Sequence, residues 1–149
     1  MSFELTYFGS GYRAMPILCA LHKGGIPCKL NTIGFPEFMA AKEKGLYKTG
    51  LPILKLPSGK EITQSFAMAR YVSRLPEVNL HPSDNDATLQ MDVVMDIVFD
   101  LMAKCPNDPD ESKKMALRKE YGETKLLAYS SKYELLLITC LTNSEQILI

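Results

Sequence analysis

The sequence predicts an α/β unit of element order βαβαββα, followed by an all-α segment. Three observations predict it. Short strand-like runs alternate with helical patterns from Phe3 to Arg74. A strand entered at Leu51-Pro52, the turn Pro57-Ser58-Gly59-Lys60 and a second short apolar run form a hairpin. Beyond a proline-rich stretch, Ala87–Lys104 and Glu111–Leu137 read as long helices with no strand between them.

In order, Phe3–Phe8 alternates as a strand and Gly9-Ser10-Gly11 is a loop. Arg13–Lys23 is a helix that tolerates Pro16 in its first turn and ends at Gly24-Gly25. Cys28–Ile33 is the second strand and Pro36–Lys44 a weakly patterned helix. Pro52–Leu56 and Glu61–Thr63 are the hairpin strands. Ser65–Arg74 is a helix for which Ser65 is the expected N-cap. The order matches a thioredoxin-like fold over residues 1–75. Residues 76–86, with Pro76 and Pro82, read as a linker, and residues 87–138 as a helical domain broken at Cys105-Pro106-Asn107-Asp108-Pro109-Asp110. Gly122 interrupts the last helix, and residues 139–149 form a tail.

Composition narrows the function. The 149 residues suffice for one domain or two small ones, and net charge is zero, which gives no reason to expect nucleic acid or an anionic membrane as partner. No apolar run is long enough to span a bilayer, and the N-terminus lacks the pattern of a signal peptide, so a reducing cytosol is the expected location. Cys19, Cys28, Cys105 and Cys140 form no C-x-x-C pair, which argues against a zinc site or a dithiol redox motif. Gly9-x-Gly11-x-x-Ala14 imitates a dinucleotide fingerprint. The zone where its ribose-binding acid belongs holds Lys29, Leu30 and Asn31, so that reading is set aside. His22 and His81 have no partner at catalytic spacing.

What remains is a polar constellation around the hairpin. The helix start at Ser65 attracts a carboxylate or phosphate, Gln64 adds an amide that donates and accepts, and Leu51-Pro52 offers an open main-chain edge. Tyr7, at a strand end and followed by Arg13, reads either as a core tyrosine or as a hydroxyl donor to a reactive group. Asp92, Asp96 and Asp100, spaced i, i+4, i+8, line one helix stripe beside Val93, Ile97 and Leu101. Such like charges repel mildly, so the stripe is either a solvated face or one that meets a cation.

These motifs resemble the cytosolic glutathione transferases of the tyrosine-type classes, closest to sigma, pi and mu. The likeness rests on Leu5-Thr6-Tyr7-Phe8, on Arg13-Ala14-Met15-Pro16-Ile17, on Leu51-Pro52 and on Gln64-Ser65, and spans roughly residues 3 to 135. It implies that glutathione is the co-substrate, that no other cofactor is needed, and that Tyr7, aided by Arg13, stabilises the thiolate for attack on a small electrophile in detoxification. It implies a cis Leu51-Pro52 bond whose preceding backbone pairs with the glutathione cysteine, and a γ-glutamyl carboxylate held by Gln64 and Ser65. It implies a homodimer in which Asp100 reaches across to the glutathione of the other subunit and Asp92 meets Arg70.

The chain also departs from the family pattern. It has no Trp. Phe38 and Lys42 keep the Trp-x-x-x-Lys spacing of the residues that contact the glycine end of glutathione, while Phe35 and Met39 give an alternative register without the lysine. Gly50 stands where a polar side chain is usual, which implies reduced glutathione affinity. The resemblance stops before the family's remaining helices, so a truncated helical domain is expected. Two other readings follow: a non-catalytic glutathione-binding or dimerisation module, and a glutathione-dependent isomerase.

Overall fold

A computed structural model describes residues 2–9, 13–126 and 128. It divides into two compact units, residues 1–81 and 82–149. The first carries strands β1 (Phe3–Tyr7), β2 (Cys28–Thr32), β3 (Ile53–Lys55) and β4 (Glu61–Ile62), and helices α1 (Met15–Lys23), α2 (Phe35–Glu43) and α3 (Ser65–Ser73). The second carries α4 (Asn85–Lys104) and α5 (Glu111–Tyr121), which runs into a π-helical turn, Gly122–Leu126.

The first unit is the thioredoxin-like fold that the sequence predicts. Its sheet has the order β2-β1-β3-β4. β1 pairs parallel to β2 and antiparallel to β3, and β3 pairs antiparallel to β4. The period of a strand puts Phe3, Leu5 and Tyr7 on one face, and all three are buried, while Glu4 and Thr6 between them are half-buried. The core on that face joins Leu5 and Leu54 of the sheet to Ile17 and Leu21 of α1 and to Met68 and Val72 of α3. Each such side chain contributes roughly 1.5–3 kcal/mol on burial. A Cβ on Gly24, at the end of α1, would lie 2.6 Å from Cγ2 of Val78, so the close approach of that helix end to the segment after α3 requires glycine. Gly25 follows at φ 61°, the left-handed residue that ends the helix.

The other face is polar around Glu4. Its carboxylate accepts a hydrogen bond from Asn31 Nδ2 at 3.3 Å and lies 3.6 Å from Lys55 Nζ and 4.0 Å from Lys29 Nζ. The strand registers cause this, because Glu4 faces Lys29 on one side and Lys55 on the other.

The predicted elements are found with end shifts of one or two residues, Leu56 and Thr63 falling outside the hairpin strands. The interruption expected at Gly122 is found. The ladder changes there to π-type bonding, and Thr124 Oγ1 donates to Glu120 O at 2.7 Å. The linker ends sooner than expected, because Asp84 caps α4 by accepting from Ala87 N–H at 2.9 Å. Asp110 caps α5 in the same way through Lys113 N–H. The predicted fifth helix beyond residue 128 and the tail 139–149 lie outside the described residues.

The Glu4 cluster has a pH signature. The Asn31 hydrogen bond, then the Lys55 ammonium, hold the Glu4 carboxyl below the usual glutamate range. A depressed carboxyl contributes stability that is fully present above its unfolded value, about 4.3, and lost as pH falls through the lower folded value. Glu4→Gln is therefore expected to lower the melting temperature near neutral pH and to lose that difference as the pH falls through and below the usual glutamate range. Equal melting of the two proteins near neutral pH would show that the cluster adds nothing to stability.

Candidate functional site

One end of the sheet gathers most of the sequence-predicted site. Tyr7 ends β1, with its ring in the core and 7% of its surface exposed. Its phenolic oxygen accepts a long hydrogen bond, 3.4 Å, from the backbone N–H of Arg13. Its carbonyl accepts from Ile33 N–H at 3.1 Å, which ties the entry to α2 to the same strand end. The β1–β3 register pairs Thr6 with Ile53, and one step further it brings Pro52 opposite Tyr7. The β3–β4 register pairs Leu54 with Ile62, and two steps further it brings Gln64 opposite Pro52. Tyr7, Pro52 and Gln64 thus form one row across the sheet end.

The Leu51-Pro52 bond is cis. Pro52 is buried and Leu51 half-buried. Gln64 is exposed and stands at φ 74°, ψ 96°, a conformation that side-chain-bearing residues seldom adopt. Such strain persists where the surroundings over-determine it, and it concentrates at sites of function.

One sequence expectation is corrected here. Ser65 is not the N-cap of α3. It is already the first helical residue, Gln64 holds the cap position, and the cap side chain makes no hydrogen bond to the helix start. Serine is the residue type that favours a cap, but the hairpin delivers the chain to the helix one residue earlier. The cap carbonyl still accepts, from Met68 N–H at 3.0 Å.

Phe38 is half-buried and joins an aromatic chain. Its ring lies edge-on to Phe8 at 5.3 Å, and Phe8 lies 5.5 Å from Tyr7. Phe35, at the start of α2, is exposed and lies 6.3 Å from Phe8. Both candidate aromatic positions therefore adjoin the strand end that Tyr7 closes. Lys42 and Met39 are exposed on α2, and Arg13 is exposed after the loop. Arg70 lies on α3 of the first unit, and Asp92 and Asp100 on α4 of the second. Asp100 pairs with Lys104 at 2.6 Å, one turn on. Ser10, Gly11 and Tyr12 lie outside the described residues.

Sequence reasoning missed Phe8 and Tyr47 as members of this aromatic chain. A strand residue facing away from the core, as Phe8 does, carries a legible signal in its alternation with Tyr7. Tyr47 carries none, because it lies in a loop.

No family model matches the chain, and no curated protein matches it. Solved structures do. Rat hPGDS, complexed with a quinoline, superposes with a TM-score of 0.79 at 20% identity, over 91% of this chain and 67% of that one. Prostaglandin synthase D of Nilaparvata lugens gives 0.75 at 26% identity, over 89% and 66%. A glutathione transferase homologue from Sulfitobacter, with bound glutathione, gives 0.64 at 20% identity, over 89% and 68%. The chain spans about two thirds of the length of these proteins.

The cap geometry makes a prediction. A serine that caps a helix is worth about 1 kcal/mol. Ser65 makes no such bond, so Ser65→Ala is expected to change unfolding stability by less than about 0.5 kcal/mol in denaturant titration. A loss near the full cap value would restore Ser65 as the cap. By these superpositions this chain has the fold of the glutathione transferases.

Proposed function

We propose that the chain binds glutathione and activates its thiol for attack on a small electrophile, as a tyrosine-type glutathione transferase. One observation carries the reading. The Tyr7 hydroxyl accepts the Arg13 backbone N–H, which leaves its own proton to donate elsewhere. The likeness to a transferase homologue with bound glutathione supports the same ligand.

The energetics are adequate. A free thiol has a pKa of about 8.5, and lowering it by about two units takes roughly 2.7 kcal/mol. A hydrogen bond to a charged acceptor contributes about 1.5–3 kcal/mol. One tyrosine O–H to the sulfur therefore nearly suffices. In this reading Leu51 offers its backbone to the cysteine of glutathione as an added strand does. Gln64 and Ser65 hold the γ-glutamyl carboxylate, beside first-turn N–H groups that face an anion. Phe38 with Lys42, or Phe35 with Met39, meets the glycine end. Arg13 supports Tyr7, and no cofactor beyond the co-substrate takes part.

The working unit of this reading is a cytoplasmic homodimer. Arg70 meets Asp92 at its interface, and Asp100 reaches the glutathione ammonium of the other subunit. Two readings stand beside it. The names of rat hPGDS and the Nilaparvata enzyme favour a glutathione-dependent isomerase that uses the same thiolate. The other is a non-catalytic glutathione-binding or dimerisation module.

Tyr7→Phe tests the assignment. It is expected to raise the pKa of bound glutathione by about one to two units while leaving its affinity nearly intact. Thiolate absorbance at neutral pH that is the same in mutant and wild type would remove Tyr7 from the chemistry. Asp100→Asn tests the dimer: affinity should fall in the dimer and not in the monomer. Sedimentation as a monomer at micromolar concentration with full affinity would refute both the interface and the role of Asp100.

A further inference from the structure

We infer that Tyr47 is a positioning residue of this site: its ring backs Phe38 and thereby fixes α2, the helix that carries both candidate glycine-end pairs. The inference rests on the glutathione-binding reading above and adds a residue to it.

Little else holds α2. No residue of the helix is buried, and only Phe38 and Ala41 within it are half-buried. Phe35 and Met39 are 65% and 41% exposed. A helix with so few buried contacts belongs to the low-stability part of a fold and moves unless something specific ties it down. Phe35 reaches Phe8 at 6.3 Å, and the tie that joins the strand side to the loop side is the ring of Phe38. It meets Phe8 edge-on at 5.3 Å on the strand side, and it stacks on Tyr47 at 6.2 Å and 18° on the loop side. Both lie in the range of favourable aromatic pairs. With Phe8 against Tyr7, the rings run without a break from the loop to the proposed catalytic hydroxyl.

Tyr47 is held there at a conformational cost. Its φ is 52°, left-handed, which a bulky residue rarely adopts. The surrounding backbone is closed on both sides. Gly45 N–H donates to Lys42 O, Leu46 N–H to Ala41 O, and Gly50 N–H to Tyr47 O at 2.8 Å. Glycine or asparagine fits such a turn with less strain. What neither supplies is the ring, so the strain and the stack point to one role.

The test compares Tyr47→Leu, which removes the ring, with Tyr47→Phe, which keeps it. Glutathione affinity is measured by calorimetry, and hydrogen exchange is followed at the amides of Phe38 and Leu46 without ligand. Tyr47→Leu is expected to weaken glutathione binding roughly three- to tenfold and to speed those amides by a similar factor. The β1 amides should keep wild-type protection. Tyr47→Phe should stay within about twofold of wild type. Unchanged exchange in Tyr47→Leu overturns the clamp. Faster exchange with unchanged affinity overturns its link to the site. Tyr47→Phe as weak as Tyr47→Leu overturns the stack as its cause. If the wild-type protein fails to bind glutathione, the functional reading falls and with it the role of Tyr47 in the site, while the exchange data still judge the hold on α2.

Discussion

β1 is paired on both edges, parallel to β2 and antiparallel to β3, and its inward residues Phe3, Leu5 and Tyr7 are sealed under α1 and α3. A strand so constrained has a fixed register, because a slip of one residue would turn Leu5 to the polar face and Glu4 to the core. Each feature at the far end of the sheet is measured from that register. The cis turn at Leu51-Pro52 is aligned with Tyr7 through β3, and Gln64 is aligned with Pro52 through β4. The Glu4 cluster reads the same register from the opposite face. Stability and site geometry therefore share one cause, the double pairing of a buried strand.

The two sides of the sheet differ in rigidity for the same reason. On the α1–α3 side, Ile17, Leu21, Met68 and Val72 interlock with Leu5 and Leu54, and a loss there is felt as a cavity. On the α2 side there is no comparable core, and aromatic contacts do what burial does elsewhere. Directional contacts of this kind hold a helix at a lower cost of opening. In the proposed function, glutathione meets the well-packed wall at Tyr7 on one side and the less buried helix α2 on the other.

Much of this was legible in the sequence wherever a local pattern carried it. The alternation over Phe3–Phe8, the glycine pair after Lys23 and the Pro57–Lys60 turn each has a short-range physical cause, and each is where it was expected. Tyr7, Leu51-Pro52 and Gln64-Ser65 were legible as a set because their types and order are unusual together. The cap was misplaced by one residue because residue preference favours serine, while the hairpin exit, visible only in φ and ψ, settles on Gln64. Glu4 was missed because its partners come from two other strands, through registers no single segment contains. Tyr47 was missed because its contact with Phe38 follows from a left-handed loop residue, and neither strand nor helix periodicity encodes that.

The second unit is built on different terms. None of the described residues of α4 or α5 is buried, and Leu89, Phe99 and Met115 remain 62%, 47% and 60% exposed. Among the described residues these helices carry the Asp84 and Asp110 caps, the Asp108–Lys113 ion pair, and a link between α5 and α4 in which the Tyr121 hydroxyl donates to Leu101 O at 3.0 Å. Caps and surface pairs supply on the order of a kcal/mol each or less, whereas the first unit is held by fully buried side chains. The residues proposed to hold and activate the thiol, Tyr7, Arg13, Leu51, Pro52, Gln64 and Ser65, all belong to the first unit. The proposed thiol activation thus depends on the better-packed half of the described structure, and Asp100 is the single proposed glutathione contact that the helical half contributes.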